Sequence, residues 1–261
     1  MDLNLKGRKV AISGASQGIG EGLARSFASE GCPLWLVARS GDKLEKLAAE
    51  LKAAHGVDVK TLAIDMTAEG AIDKVAAFVG DADVLVNNAG SIPGGNLWDV
   101  DEKAWRAGWE LKVFGYINLT RLVYAKMRER GGGVILNNIG SGGENFDFNY
   151  ICGTTGNAAL MAFTRALGGR SLLDHNIRVV GVNAGLVETP RIVKVLATRA
   201  KNELGDAGRA NEMTKSLPLG RPATVPEVAD LFVYLASDRS AYTSGVICTI
   251  DGGMTSKRSI S

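Results

Sequence analysis

The sequence predicts one α/β domain, residues 1–261, built on a doubly wound parallel sheet of about seven strands with helices on both faces. Two observations lead to this prediction. Short runs of apolar and β-branched residues alternate along the chain with longer amphipathic segments, which is typical of repeated strand-helix units. The length of 261 residues is enough to bury a large core, and no repeat or low-complexity linker divides the chain.

Seven short runs are predicted to be strands: Lys9–Ser13, Pro33–Ala38, Asp58–Ile64, Val84–Asn87, Gly133–Asn138, Ile177–Val182 and Gly245–Ile250. Amphipathic stretches such as Gly20–Glu30 and Lys43–Ala54 are predicted helices between them, and helical connections of this kind favour parallel strands. The segment Arg191–Leu217 is polar, charged and helical in pattern. We expect it to form a substrate lid over the crevice at the carboxyl ends of the strands.

Composition and charge exclude several classes of protein. The 30 Lys and Arg residues against 28 Asp and Glu residues leave a net charge of +2, too small to indicate nucleic acid or an anionic membrane as a partner. The chain has no apolar run of about 20 residues and no signal peptide pattern, so we expect a cytoplasmic protein. Its three cysteines and two histidines form no disulfide or zinc pattern, so no metal site is expected.

The first chemical motif is G-A-S-Q-G-I-G at Gly14–Gly20, which follows a predicted strand and opens a predicted helix. Its glycines allow a tight turn and a close backbone approach, while the unpaired amides of the helix face a pyrophosphate. A tight turn without a ligand is the alternative. We assign to cofactor binding Gly14, Ser16, Gln17, Gly18, Ile19 and Gly20.

The end of the second predicted strand bears on the choice of cofactor. A site selective for NAD usually places an acidic residue there, whereas this chain has Ala38 and Arg39. A guanidinium group can bind a 2′-phosphate through two hydrogen bonds, so Arg39 favours NADP over NAD. An Arg39 side chain that faces solvent is the alternative, and it leaves NAD open.

With these motifs the chain resembles the short-chain dehydrogenases/reductases over essentially its whole length. Five motifs carry the resemblance: G-x-x-x-G-x-G at Gly14–Gly20, Asp65 after the third strand, N-N-A-G at Asn87–Gly90, R-V-V-G-V-N-A-G-L-V-E-T-P at Arg178–Pro190 and T-I-D-G-G at Thr249–Gly253. Ala184 departs from the family, which usually has proline there. The resemblance implies a Rossmann-like fold, NAD(P)-dependent oxidoreduction and a homotetramer or homodimer.

The resemblance also implies roles for residues at the matched positions. Asp65 and Met66 would flank the adenine, and Asn88, Ala89 and Gly90 would contact the ribose side of the cofactor. At the nicotinamide end the matched residues are Gly185, Val187 and Thr189. A carboxylate at the end of a strand can accept a hydrogen bond from an exocyclic amine, which agrees with the role implied for Asp65.

The proton-transfer residues match the family only in part. Ser141 matches the family's serine. When the helical pattern of Ala158–Leu167 is aligned with the family's helix, Gly153 falls at the tyrosine position and Asn157 at the lysine position. Lys112 falls where the family has asparagine, so lysine and asparagine look exchanged. We expect Lys112 and Asn157 to share the relay region; a Lys112 that points elsewhere is the alternative.

Tyr150 is the nearest candidate for the missing hydroxyl group. Hydride transfer to a carbonyl generates an alkoxide, which needs a proton donor. Tyr150 lies three residues before Gly153, and its phenol can reach the substrate if the segment that enters the helix folds inward. Ser141 and a bound water are competing donors. The glycine also leaves room beside the nicotinamide for a larger substrate or one with its own acidic group.

The sequence therefore supports an NAD(P)-dependent oxidoreductase that interconverts an alcohol and a carbonyl of a small molecule, with an atypical proton relay. The alternative is a dinucleotide-binding, catalytically weak family member that acts as a sensor or assembly subunit. A non-redox, lyase-like activity in the same pocket is a third function. The dinucleotide motifs favour cofactor use in the first two, but they do not separate turnover from binding.

Overall fold

The computed structural model describes residues 2–256, apart from the side chains of residues 194, 198, 199, 202 and 203. Its strands are β1 (Val10–Ser13), β2 (Leu34–Ala38), β3 (Val59–Ala63), β4 (Val84–Asn87), β5 (Gly133–Asn138), β6 (Ile177–Ala184) and β7 (Ile247–Ile250). They form one parallel sheet in the order β3-β2-β1-β4-β5-β6-β7. The predicted fold class is confirmed. The outermost residues of the predicted domain, 1 and 257–261, lie outside the described residues.

Helices connect the strands and cover both faces of the sheet. They are α1 (Gly18–Ser29), α2 (Gly41–His55), α3 (Ala71–Phe78), α4 (Glu102–Trp109), α5 (Gly115–Glu129), α6 (Ile151–His175), α7 (Pro190–Leu204) and α8 (Val225–Ala236). One core contains residues of α1, α2 and α8, and Phe27 joins Ile12 there. A second core contains residues of α3 and α5, and Val75 joins Ala11 there. Adjacent residues of β1 serve different cores because side chains alternate along a strand.

Two strand ends differ from the sequence prediction by two residues, while β1 and β2 begin, and β3 begins and ends, one residue inside the predicted bounds. β6 continues to Ala184, two residues beyond the predicted end at Val182, because the last residues of β7 pair with it. β7 begins at Ile247 rather than at Gly245. Gly245 has a φ of 69° and packs closely against the backbone of α6, and such a positive φ belongs to a turn rather than to a strand.

The order of the strands creates a crevice at one edge of the sheet. β1 pairs with β2 on one side and with β4 on the other, so the chain reverses its winding direction between β1 and β4. In parallel sheets of this kind, ligands bind outside the carboxyl ends of the strands at that point. The segments that follow β1, β4, β5 and β6 all begin at this edge, and they carry most of the residues assigned from the sequence.

A π-helical turn, Glu110–Phe114, joins α4 to α5. Such turns insert an extra residue into a helix and are frequent at functional sites. Lys112 lies at the centre of this turn, and nothing in the local sequence predicts the extra residue.

Most of the predicted lid segment is helical. α7 and a 3₁₀ segment at Ala207–Thr214 occupy much of Arg191–Leu217. Its role as a moving lid stays a prediction. Within residues 2–256, no helix combines the length and the apolar character needed to cross a membrane.

Candidate active site

One long cleft follows the carboxyl ends of the strands from the glycine-rich turn to the first turn of α7. Most of the residues assigned from the sequence line it: Gly14, Ser16, Gln17, Gly18, Ile19, Gly20, Arg39, Met66, Asn88, Ala89, Gly90, Lys112, Ser141, Tyr150, Asn157, Gly185, Val187 and Thr189. Asp65 is adjacent to the lining residue Met66 but does not itself line the cleft. The fold therefore brings the cofactor candidates and the catalytic candidates into one space.

Three glycines of the turn are required by its geometry. Gly14 has a φ of 69°, and a Cβ atom there would lie 2.8 Å from the Cα of Ala89. A Cβ atom on Gly20 would lie 2.6 Å from Asn88 Nδ2 and would overlap the carbonyl oxygen of Gly14. Gly18 has a φ of 59°, which residues with side chains rarely adopt. The turn can therefore pack directly against the segment that follows β4.

The start of α1 offers donors that suit a pyrophosphate. Gln17 is the residue before the helix, and its side chain makes no capping hydrogen bond. Its Oε1 instead accepts a hydrogen bond of 3.0 Å from Lys43 Nζ. Because the first amides of a helix have no intrahelical partner, the amides of this turn are placed for an anionic ligand. The backbone here fits the phosphate end of a dinucleotide.

Hydrogen bonds of Ser13 and Asn88 hold the ends of β1 and β4 together beside the glycine-rich turn. The Ser13 hydroxyl accepts hydrogen bonds from the amides of Asn88, at 2.9 Å, and of Ala89, at 3.1 Å. The Asn88 side chain donates to the Ser13 carbonyl oxygen at 3.0 Å and accepts from Asn138 Nδ2 at 2.7 Å. Both ends of the Asn88 amide thus bind the scaffold, so we expect contacts from this segment to a ribose to come from its backbone. Sequence reasoning missed Ser13, whose role depends on the close approach of β1 to β4.

Two cations lie at or near the end of the cleft where the sequence predicts the adenine. Arg39 directly follows β2, is exposed and lines the cleft, and Lys43 lies in the first turn of α2. Asp65 Oδ1 accepts hydrogen bonds from the Thr67 amide, at 2.9 Å, and from its hydroxyl, at 2.8 Å. These two hydrogen bonds, with a smaller contribution from Arg39, lower the pKa of Asp65. The Asp65 carboxylate is therefore charged and is partly engaged by its own turn.

Lys112 extends into the cleft from the π-helical turn. Its Nζ donates to the carbonyl oxygen of Ile139 and, at 2.9 Å, to Asn157 Oδ1. Its stem packs beside Gly90, where a Cβ atom would lie 3.1 Å from Lys112 Cδ. Burial, with a smaller contribution from the positive charge of Arg191, lowers the pKa of Lys112 to about 7. This amine can therefore hold or release a proton near neutral pH.

Asn157 links Lys112 to the loop that carries Ser141. Its Oδ1 accepts from Lys112, and its Nδ2 faces the loop backbone, 3.3 Å from where a Cβ atom on Gly140 would lie. Asn157 is only 2% exposed. Ser141 lines the cleft nearby, and its hydroxyl makes no hydrogen bond to another described residue. The lysine, asparagine and serine selected from the sequence thus lie around one loop.

The phenol ring of Tyr150 lies over Gly153. A Cβ atom on Gly153 would overlap the ring and lie 2.6 Å from Tyr150 Cε2. Tyr150 is the residue before α6, with φ −136° and ψ 34°, so its backbone is not helical and its side chain can turn back over the first turn of the helix. The ring also approaches Gly142, where a Cβ atom would lie 3.5 Å from Cε1. The glycine at 153 is therefore what allows the ring into the cleft.

A short backbone bridge fixes the segment before α6. Gly95 pairs with Tyr150 in a parallel bridge, and the Gly95 amide donates to the Asn149 carbonyl oxygen at 2.7 Å. The position of the phenol therefore depends on the loop that follows β4 as well as on α6.

Arg191 is a cleft residue that the sequence assigned only to the predicted lid. It lies in the first turn of α7, and its Nη2 donates to the carbonyl oxygen of Ile92 at 2.9 Å. Its guanidinium lies near the Tyr150 phenol, close enough for an electrostatic interaction between the two. Burial raises the pKa of Tyr150, and Arg191 opposes that rise. No local motif marks this arginine, because its approach to the tyrosine is set by how α7 packs over the cleft.

The sequence is similar to those of known oxidoreductases over nearly its whole length. A family model described as enoyl-(acyl carrier protein) reductase matches residues 14–255. Oxidoreductase UcpA of Salmonella typhimurium is 34% identical over 264 residues, which cover 98% of each chain. The 2,3-dihydro-2,3-dihydroxybenzoate dehydrogenase of Bacillus subtilis is 30% identical over 256 residues, which cover 96% of this chain and 97% of that one.

The similarity extends to solved structures. L-sorbose reductase from Gluconobacter frateurii, complexed with NADPH and L-sorbose, is 34% identical to this chain and superimposes with a TM-score of 0.91. The match covers 99% of this chain and 100% of the reductase. The fold that forms the cleft is thus shared with a reductase whose structure contains NADPH.

Proposed function

The chain belongs to the short-chain dehydrogenase/reductase family, whose members are NAD(P)-dependent oxidoreductases, and from this we propose that it interconverts an alcohol and a carbonyl by hydride transfer, with NADP preferred. One observation carries the proposal: the Tyr150 ring enters the cleft over Gly153, beside Ser141 and the Lys112–Asn157 pair. The cleft then holds a hydroxyl donor even though no tyrosine of the chain is followed four residues later by a lysine.

Tyr150 is the proposed acid and base. A bound nicotinamide supplies or accepts the hydride. In the direction of reduction the phenol gives its proton to the oxygen of the substrate as negative charge develops there. Arginine can only donate hydrogen bonds, so in a hydrogen bond between the two the Tyr150 oxygen would be the acceptor, and its own proton would stay available for the substrate. The same guanidinium stabilises the phenolate that remains.

Lys112 and Asn157 are proposed to do from exchanged positions what a lysine and an asparagine do in the family. Two acceptors, the Ile139 carbonyl oxygen and Asn157 Oδ1, orient the Lys112 amine. Its third position then carries either a proton or a lone pair, and a pKa of about 7 makes both states accessible. Lys112 can therefore restore a proton to the relay after each turnover.

Ser141 is proposed to stabilise the substrate oxygen. Its hydroxyl lines the cleft on the loop that the Tyr150 ring and Asn157 Nδ2 approach. A hydroxyl placed where charge develops lowers the barrier because it needs no reorganisation during the reaction.

The preference for NADP is proposed from the adenine end. Arg39 lines the cleft, and Lys43 approaches the glycine-rich turn through its hydrogen bond to Gln17. Two cations beside a 2′-phosphate favour NADP, whereas a carboxylate at the Arg39 position would repel it. Asp65, whose carboxylate is near enough to Arg39 for the two charges to interact, is proposed to flank the adenine.

The segment Arg191–Leu217 is proposed to close over the bound substrate. Arg191, Ile192 and Leu196 line the cleft from α7, and Met213 and Leu217 line it from the region beyond. Closure of such a segment would exclude water from the reacting groups. A homotetramer or homodimer is proposed from the family alone.

The test combines cofactor binding with a turnover screen. Calorimetric titration of the purified chain with NADPH and NADH should show tighter binding of NADPH. A panel of aldehydes, ketones and alcohols should then change the absorbance of the nicotinamide, and Tyr150→Phe should lose at least nine-tenths of that rate. Tyr242→Phe is the matched control, because Tyr242 is 99% exposed and lies outside the cleft.

Tight binding of NADPH without turnover of any compound in the panel would overturn the proposal in favour of a dinucleotide-binding sensor or assembly subunit. Full activity in Tyr150→Phe would instead remove the tyrosine from the relay and leave Ser141 or a water as the donor.

A further inference from the structure

We propose that Arg191 binds a carboxylate group of the substrate, so that the preferred substrates are oxo acids and the matching hydroxy acids. This inference rests on the proposed function and adds to it the chemical class of the substrate. It assigns to Arg191 a role in specificity beyond its contact with Tyr150.

The guanidinium of Arg191 has N–H donors that are available to a ligand. It lines the cleft, donates one hydrogen bond to the Ile92 carbonyl oxygen at 2.9 Å and lies near the Tyr150 phenol. A guanidinium has five N–H donors, so these two contacts leave a further edge. Among the described residues, no carboxylate lies within 4.0 Å of Arg191, although nine other Arg or Lys contacts of that kind occur. Within the described part of the chain, the arginine is therefore placed without a counter-charge.

The charges at the reacting end of the cleft favour an anion. Arg191 is close enough to Lys112 for its positive charge to contribute to the lowered pKa of Lys112. The acidic residue Asp147 also lines this end; its Oδ1 accepts a hydrogen bond of 2.8 Å from the Asn149 amide, and it has a further contact within the chain. A substrate carboxylate would bring negative charge between two cations and would form charge-assisted hydrogen bonds with the guanidinium.

The position of the carboxylate follows from the contact between Arg191 and Tyr150. The proposed donor, Tyr150, hydrogen-bonds the reacting oxygen of the substrate, and Arg191 lies beside the same phenol oxygen. Two substrate groups that bind neighbouring partners must themselves be close together. We therefore place the carboxylate on the carbon next to the carbonyl or one carbon further, close enough to the reacting oxygen for both groups to bind. The predicted substrates are 2-oxo and 3-oxo acids and their alcohols.

Matched pairs of substrates test the inference. Phenylpyruvate and phenylpyruvamide differ in charge but little in size, as do acetoacetate and acetoacetamide. With NADPH in excess, kcat/KM for each acid should exceed that for its amide by at least tenfold. Arg191→Gln should abolish this preference mainly through a higher KM for the acids, and Arg191→Lys should leave an intermediate preference, because a lysine keeps the charge but not the planar fork.

The ratio of acid to amide separates substrate binding from the proton relay. A variant that harms only the relay lowers both rates by the same factor, as Tyr150→Phe should. Arg209→Gln is the matched control, since Arg209 lies in the same segment, pairs with Glu212 at the surface and does not line the cleft. Melting temperatures of all variants check that they fold.

A binding experiment keeps the inference testable even if no substrate turns over. Phenylacetate and phenylacetamide carry no reacting carbonyl, and each is titrated into protein saturated with NADPH. Wild-type protein should bind phenylacetate at least tenfold more tightly than the amide, and Arg191→Gln should remove the difference. That result with no turnover anywhere would overturn the proposed function but support the carboxylate site. Turnover with equal kcat/KM for acids and amides would overturn the carboxylate site and leave the proposed function intact.

Discussion

The ring of Tyr150 fills the volume that a side chain at position 153 would occupy. The two residues are three apart, but Tyr150 has a non-helical backbone, so its side chain does not follow the spacing of helical neighbours. A tyrosine outside the helix and a glycine inside it are thus one structural unit.

This unit predicts that Gly153→Ala will be more harmful than a glycine-to-alanine change in a helix normally is. The new methyl group would collide with the Tyr150 ring, so we expect a loss of about 1–3 kcal/mol in the free energy of unfolding and at least a tenfold loss in the rate of carbonyl reduction. The measurements are chemical unfolding and steady-state turnover.

Gly169→Ala is the control for this change. Gly169 lies in the same helix, and a Cβ atom there would have nothing within 4 Å, so the substitution should stabilise the chain by about 0.5–1 kcal/mol. Equal activity of Gly153→Ala and wild type would contradict the proposal that the Tyr150 phenol donates its proton from its place over Gly153.

Lys112 predicts a pH dependence of stability. Its pKa in the folded chain is about 7, below the ordinary 10.5, so between those values the unfolded chain binds more protons than the folded one. Through this group the free energy of unfolding therefore rises with pH across that window and is constant below it. Urea unfolding at several pH values measures the free energy of unfolding of wild type and of Lys112→Met. The value for wild type should rise relative to that of the variant from about pH 7 upward. A constant difference between the two would show that Lys112 titrates normally in the folded chain.

Arg39 predicts the cofactor preference. Replacing it by Glu should weaken NADPH binding by at least tenfold, because a carboxylate would face the 2′-phosphate, and should leave NADH binding unchanged or stronger. Calorimetry at fixed ionic strength measures both. Lys46→Glu changes the same charge at an exposed position of α2 outside the cleft, and it should affect neither cofactor. Unaltered NADPH affinity in Arg39→Glu would leave the guanidinium facing solvent.

Arg178 predicts a large effect on stability far from the chemistry. It is 5% exposed and donates to three carbonyl oxygens at the end of α8 and to the Ser240 hydroxyl, at 2.6 to 3.1 Å. Arg178→Met would remove four buried, charge-assisted hydrogen bonds, and only the Leu235 and Ser237 carbonyl oxygens would keep the Ser240 hydroxyl as a donor. We therefore expect a loss of about 2–4 kcal/mol in the free energy of unfolding. Arg170→Met removes an exposed pair with Asp174 and should cost less than about 1 kcal/mol. Similar unfolding midpoints for the two variants would contradict the role of Arg178.

The cofactor half of the cleft could be predicted from the sequence because its determinants are local. Gly14, Gly18 and Gly20 stand at fixed spacing in one turn, and the strand that precedes them and the helix that follows have clear patterns. The seven strands were predicted for the same reason, apart from residues at their ends. β6 and β7 show why the ends are harder: Ala184 extends a strand only because a partner strand lies beside it.

The catalytic half depended on geometry that the sequence does not encode locally. Lys112 enters the cleft from a π-helical turn, and the approach of Arg191 to Tyr150 depends on the packing of α7. Sequence reasoning selected Lys112, Asn157 and Tyr150 as candidates through the resemblance to a family, but it could not orient them. Ser13 was missed because a serine inside a strand has no special spacing, and its hydrogen bonds appear only when β1 and β4 lie side by side.

The bridge between Gly95 and Tyr150 has a consequence for how such a protein can diverge. An acid carried on a helix is fixed by the core, and mutation cannot shift it without disturbing the fold. Here the ring is attached where a surface loop meets the helix, so small insertions or substitutions around residues 94–99 would re-aim the phenol while the sheet and the glycine-rich turn stay intact. Adaptation to a new substrate can therefore proceed through the loop, with no cost to the dinucleotide site.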